Sequence, residues 1–393
     1  MAMKRLQQLG SQLSSSISPN PDETETMASA SSKFALNENG IPPFESLPLG
    51  KDDPRFSAWG LYGDKDELGT LNRLTDERVA AAAREEIKTG VRISLNWPLT
   101  AQSTPFFNRR AFHHDIYRKH PRFVNDDEWT FNSQSSSQWD GLRHFGYQKE
   151  EKFYNGVSMD EVHAVGEDGR RSTFFFLLCR NLIGYLRIRG LREKAGVDDD
   201  DDDDDDDDER YVKADNRPKK AWQKHGIVGR GILVDYHTWR LEQNIPYDPF
   251  ARDSIPIADL QACLKAQGTE VKFGDILITR TGFTATHASL PPSTLTSHLA
   301  ATPQTFSGVA QSEDALRWIW SNFAAVAGDQ PSFECWPHRD PQHWMHEVLL
   351  AGWGMPIGEL FDLEALAAQC KREKRWSFFV VSEPCNVPGG VAR

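Results

Sequence analysis

Residues 133–145 read SQSSSQWDGLRHF. The stretch has neither the 3.6-residue period of a helix face nor the two-residue alternation of a half-buried strand. Within eleven residues it gathers two amides (Gln134 and Gln138), a carboxylate (Asp140) and an imidazole (His144), with Trp139 and Phe145 interleaved. A surface turn accounts for the serines and the glycine, but it rarely recruits two large aromatics. A carboxylate beside a tryptophan needs a charged or strongly donating partner, because burying it unpaired is costly. His144 has an ordinary pKa near neutrality and is suited to moving protons. In an aromatic-rich chain it could equally satisfy a core hydrogen bond.

A second polar cluster lies more than 200 residues downstream, in HEVLLAGWGMPIGE, where His346 is followed by Glu359. An imidazole and two carboxylates suit zinc, manganese or iron(II) and leave positions for water and substrate. Asp140, His144, His346 and Glu359 are therefore expected to converge on one pocket. Other catalytic solutions are missing. The chain has no G-x-x-x-x-G-K-[ST] loop and no G-x-S-x-G elbow. GIVGRG sits inside an apolar strand and lacks dinucleotide-binding spacing, so its glycines read as close packing. HWMHE begins like H-E-x-x-H, but Leu350 stands where the closing histidine belongs.

The chain has 393 residues, enough for two domains or for one large α/β domain with insertions. Twenty-two Phe and twelve Trp can fill a sizeable core although only 39% of residues are hydrophobic. The net charge of −12 is local, because Asp198 to Asp208 with Glu209 account for all of it. The near-neutral remainder argues against nucleic acid as a partner. No apolar run reaches the roughly 18 residues of a membrane span. The five cysteines are scattered without C-x-x-C, which suits a reducing compartment, and the expected location is cytoplasmic.

Residues 1–45 read as a disordered tail rich in Ser, Pro and Asn; Lys4, Arg5 and the early lack of acids would also suit a transit peptide. Residues 46–393 read as a single domain, interrupted by a solvated acidic insertion at about 191–220. Thr75 is placed to cap a helix running toward Gly90, and VRISLNWPL alternates like a strand. Further on, helices and strands alternate. GIVGRGILVDY, DILITRTGF, AAVAGDQ and WSFFVVSEP read as strands. IADLQACLKAQG (ended by Gly268), SEDALRWIWSN (capped by Ser312), PQHWMHEVLLAG (opened by Pro341) and LFDLEALAAQCKREK read as helices. The class is mixed α/β, with more strand than a doubly wound fold needs.

With these segments in order, the chain resembles the cyclase family that includes kynurenine formamidase and isatin hydrolase, and within it the fungal-type members. The resemblance covers most of residues 56–384. It runs through WGLYGDKDELGTLNRLT, SSSQWDGLRHF, GRGILVDYHTW, FGDILITRTGF, AAVAGDQPSFE and HEVLLAGWGMPIGELFDL. It implies a swivelling β/β/α fold with a mixed sheet and flanking helices, a homodimer or larger oligomer, a divalent metal and hydrolysis of amide-like bonds. The family signature is H-x-G-T-H-x-D-x-P-x-H, with metal ligands from the first two histidines and the aspartate and a catalytic base from the last histidine. Here Asp140 and His144 match the aspartate and the base, and His346 and Glu359 match the family's later His and Glu. Both ligand histidines are replaced, by Gln134 and Gln138, with Ser136 and Ser137 between them. A neutral amide oxygen is a weaker zinc ligand than imidazole, so the surviving set Asp140, His346 and Glu359 favours manganese over zinc. Gln138 and Gln134 are expected to ligate through oxygen or to orient water.

The resemblance thus points to a metal-dependent hydrolase of carbon–nitrogen bonds in a cyclic or aryl small molecule, with His144 as base and Glu359 as a second acid–base group. Trp139, Phe145, Trp336, Trp344 and Trp353 are candidate walls for a flat substrate, each with a plain packing role as the alternative. A natural-product cyclase or dehydratase on the same fold, or an inactive binding protein, are the other classes.

Overall fold

The computed structural model describes residues 34–163, 221–385, 387 and 390–392. The acidic insertion lies outside the described residues. The described strands are β1 (His113–Arg118), β2 (Asn125–Thr130), β3 (Gln138–Asp140), β4 (Ile227–Val234), β5 (Ser254–Ile255), β6 (Asp275–Thr279), β7 (Gly308–Val309), β8 (Phe323–Gly328), β9 (Ile357–Glu359) and β10 (Ser377–Ser382). Six of them form one sheet in the order β10-β4-β6-β8-β9-β3. Its centre, β4 to β9, is parallel, and both edges, β10 and β3, pair antiparallel.

The apolar runs explain the parallel centre. Every residue of β6 and β8 is buried, as strands covered on both faces require. Alternation along β6 divides the core: Leu277 packs in one apolar layer, Ile276 and Ile278 in the other. The first layer holds helices Ile257–Gln267 and Glu313–Asn322, with Trp320 and Trp353 among its largest buried side chains. The second holds Trp139, Phe361 and helix Glu364–Glu373. This is the mixed α/β architecture with flanking helices that the sequence implied.

Several local expectations hold for the stated reasons. Thr75 accepts the Arg78 amide and Ser312 the Ala315 amide, each satisfying an orphan donor of its helix. Gly268 ends its helix at φ 65°. The GIVGRG glycines are packing positions, since a Cβ on Gly231 would stand 2.4 Å from Val380.

Four local expectations are corrected. The helix after Thr75 stops at Glu86 rather than near Gly90. VRISLNWPL forms no strand, although Ile93 and Leu95 do pack against the core. Its backbone is tied instead by serine hydroxyls: Ser136 Oγ donates to the Trp97 carbonyl at 2.7 Å, and the Trp97 amide donates to Ser137 Oγ at 2.7 Å. That is why small serines stand at 136 and 137. PQHWMHEVLLAG splits into a 3₁₀ turn, Pro341–His343, and a π-helical turn, Glu347–Gly352. Finally, the N-terminal boundary falls before residue 45, because Ile41 and Phe44 are buried in the main core.

Phe44 stacks on Phe56 at 5.2 Å and meets Trp353 edge-on at 6.4 Å. Phe44→Ala should therefore cost about 3–5 kcal/mol of unfolding free energy, as for other buried aromatics truncated to Ala. Denaturant unfolding checks it; an unchanged midpoint would return this segment to a tail.

Candidate metal centre

Strand β3 is the edge of the large sheet, and its three residues pair with β9 in the register Gln138↔Glu359, Trp139↔Gly358 and Asp140↔Ile357. Alternation sends Gln138 and Asp140 to one face and Trp139 to the other. Glycine at 358 is required on that other face, since a Cβ there would stand 2.6 Å from Ala327 and 3.1 Å from the Trp139 ring. Trp139 is thus core. It is 3% exposed, meets Phe361 edge-on at 5.2 Å and donates Nε1 to Ser382 Oγ at 2.9 Å. Trp353 is core as well, fully buried with Nε1 on the Phe56 carbonyl. Neither forms a wall beside the polar cluster, which corrects the expectation for both.

The polar face of β3 and β9 converges with His346, which directly precedes the π-helical turn; such turns recur at functional sites. His346 Nε2 lies 3.3 Å from Glu359 Oε1 and 3.8 Å from Asp140 Oδ2. His144 Nε2 lies 3.7 Å from the same Asp140 oxygen. The four residues expected to meet do meet, and both carboxylates stand within reach of one imidazole nitrogen. Donor atoms of Asp140, His144 and His346 all lie within 4.8 Å of one another, the one such His/Cys/Asp/Glu group found among the described residues. His144, expected to stand apart as a base, is therefore itself among the candidate ligands.

Sequence reasoning missed Glu334. It is fully buried, accepts the His346 backbone amide at 3.1 Å and faces His346 Nδ1 at 2.9 Å. This pairing fixes the ring and turns Nε2 toward Asp140 and Glu359, the arrangement in which a carboxylate orients a metal-ligating histidine. The only sequence signal was an acid in the apolar run SFECW.

The two amides act as donors here. Gln134 Nε2 bonds Asp140 Oδ1 at 2.9 Å and reaches the His144 ring nitrogens at 3.0 and 3.2 Å. Gln138 Nε2 donates to Glu359 Oε2 at 2.8 Å. Gln138 Oε1 and Asp140 Oδ2 are buried with no hydrogen-bond partner. The orphaned Asp140 oxygen beside two imidazoles requires a cation or a bound proton to offset its desolvation.

Proton affinities follow from this packing. Burial pushes Glu359 up to about 7, and the Asp140 charge adds to the effect. Burial works against a charge on His346, but Glu334 and then Glu359 overcome it and hold its pKa well above the ordinary histidine value. Burial pulls His144 down; Asp140 opposes this, while His346 and Arg109 reinforce it. One imidazole is thus held as a cation among carboxylates and the other is kept neutral.

The family model described as "Putative cyclase" matches residues 93–335, more than half of the chain. The chain belongs to this cyclase family. The match includes the Gln134–His144 loop and Glu334 but ends before His346 and Glu359. A crystal structure described as a novel cyclase is 27% identical, with TM-score 0.64, covering 86% of this chain and 96% of its own. Isatin hydrolase A from Ralstonia solanacearum is 13% identical over 81% of this chain and 94% of its own, with TM-score 0.42. Isatin hydrolase A from Labrenzia aggregata, bound to benzyl benzoate, is 11% identical over 82% and 95%, with TM-score 0.45. No curated protein matches the sequence significantly.

For this cyclase-family chain the face assignment of Trp139 is directly testable. Trp139→Phe removes one hydrogen bond and part of a packed ring system and leaves the polar face intact. It should lower stability by about 1–3 kcal/mol and leave metal affinity unchanged. A large loss of metal affinity in a folded Trp139→Phe variant would move the ring back into the site.

Proposed function

We propose that this chain is a metal-dependent hydrolase of an amide-like carbon–nitrogen bond in a cyclic or aryl small molecule. The observation that carries the reading is the buried, unpartnered Asp140 Oδ2, with His144 Nε2 at 3.7 Å and His346 Nε2 at 3.8 Å. Two donors bonded to one ion at about 2.0–2.2 Å each stand no more than about 4.4 Å apart, so both pairs fit a single cation. Asp140, His346 and His144 would hold it, with Glu359 adjacent and Gln138 Oε1 available as a neutral oxygen. Zinc and manganese both accept such a nitrogen and oxygen set. When bound, a divalent cation supplies Lewis-acid chemistry, polarising a carbonyl and acidifying water.

The chain's own groups do the rest. His144, kept neutral by burial, has a lone pair to give the ion, which leaves Glu359 as the group that moves protons. Glu359, which keeps its proton up to about 7, is able to return one to the leaving nitrogen. Gln134 holds Asp140 and His144 in mutual register. Glu334 fixes His346. Partly exposed rings of Phe145, Trp344 and Trp336 supply flat walls suited to an aryl group. No described helix is long and apolar enough to cross a membrane.

Titration of metal-stripped protein with zinc and with manganese tests the reading. One equivalent should bind, and Asp140→Ala should abolish binding while the protein stays folded by circular dichroism. Glu334→Gln should weaken affinity about 10–100-fold, the usual cost of losing a carboxylate that orients a ligand histidine. Gln138→His restores an imidazole at the replaced family position and should raise zinc affinity about tenfold or more. Absence of any metal binding by the wild type would favour metal-free acid–base chemistry by His346 and Glu359 instead.

A further inference from the structure

Side chains next to the buried donors touch one another in a closed circuit. Arg109 lies 4.9 Å over the Phe107 ring, and Phe107 meets Trp336 edge-on at 5.8 Å. Trp336 lies 6.2 Å from Trp344, Trp344 lies 5.0 Å from Phe145, and Phe145 lies 6.0 Å from His144. His144 contacts the Gln134 amide at 3.0 Å, and Arg109 Nη1 closes the circuit on the Gln134 carbonyl at 2.8 Å. Every member is partly exposed, whereas Gln138, Asp140, Glu334 and Glu359 beside it are buried. These partly exposed rings are the side from which a molecule would reach the buried donors.

Arg109 is the permanent cation of this circuit. Among the described residues it makes no ion pair, and its Nε and Nη2 groups donate to nothing. Arg252, on the Trp336 side, differs: its Nε and Nη2 are spent on the carbonyls of Pro337 and His338. The backbone that displays Arg109 is strained. Phe107 and Asn108 are consecutive non-glycine residues in the left-handed region, at φ 61° and 55°. Such a conformation persists in a phenylalanine where the surroundings hold it, here in part through Phe107 N–H on Gln304 Oε1 at 2.8 Å.

We infer that Arg109 is a specificity-determining residue that anchors a carboxylate carried by an aromatic substrate. An acidic substrate that reaches the site past these rings meets in Arg109 a permanent positive charge with open donors. A guanidinium with free Nε and Nη2 presents the fork that a carboxylate accepts in two parallel hydrogen bonds. The phenylalanine and tryptophan rings beside it take the flat part of the same molecule. The inference rests on the proposed reading of these rings as the substrate entrance and adds the charge of the substrate to it.

The test is a calorimetric titration of the purified protein with benzoate and with benzamide, which have similar shape and differ in charge. Benzoate should bind about tenfold or more tightly than benzamide, the scale expected of a charge-assisted pair. Arg109→Gln should abolish that preference, and Arg109→Lys should restore part of it. Both variants should still bind one equivalent of zinc, so a failure here is separate from a failure of the metal reading. Equal affinities in the wild type, no binding of either probe, or a preference that survives Arg109→Gln overturns the inference.

Discussion

Three residues of antiparallel pairing, Gln138–Asp140 against Ile357–Glu359, decide where the polar groups of this protein lie. Side chains alternate along a strand, so a slip of one residue would send Asp140 into the apolar layer and turn Trp139 toward the carboxylates. Packing prevents the slip. The Trp139 ring fills the space left by Gly358 and rests on Phe361. The open side of β3 is covered in turn, with the Gly141 amide on the Val391 carbonyl at 2.9 Å. An apolar contact on one face thus fixes the polar geometry on the other.

The buried charges on that face stabilise one another only as a set. Each of Asp140, Glu334 and Glu359 is nearly inaccessible to water, and an isolated carboxylate there would cost several kcal/mol. His346, held as a cation by Glu334 and Glu359, supplies the compensation inside the chain. A cation entering this set would have to displace the protons bound there. Gln134 and Gln138 add donors to the set, bonding Asp140 and Glu359.

The same loop links the buried donors to Arg109. The Gln134 side chain touches Asp140 and His144, while its carbonyl takes Arg109. The serines that follow it fasten residues 95–97 in place of a strand ladder. The stretch is buried at Ser135, Ser136, Gln138, Trp139 and Asp140, and Ser136, Gln138 Nε2 and Trp139 each find a hydrogen-bond partner there.

Much of this was legible in the chain itself. The apolar runs of β4, β6 and β8, the caps at Thr75 and Ser312 and the stop at Gly268 are local patterns, and local patterns determine elements. The candidate residues Asp140, His144, His346 and Glu359 were also legible, because an unpartnered acid or imidazole among aromatics is costly without a role. The sequence could not show which face each residue takes. Trp139 and Trp353 look like substrate walls in one dimension and are core in three, because burial depends on what packs opposite. Glu334 was hidden because its partner His346 is defined by a bond across the fold. VRISLNWPL kept its alternation but formed no ladder, since a strand needs a neighbour that no local pattern supplies. Periodicity and residue chemistry, which act over a few neighbours, were fixed by the sequence; register, facing and the closure of the Arg109–His144 circuit depend on contacts between distant segments, and only the tertiary structure decided them.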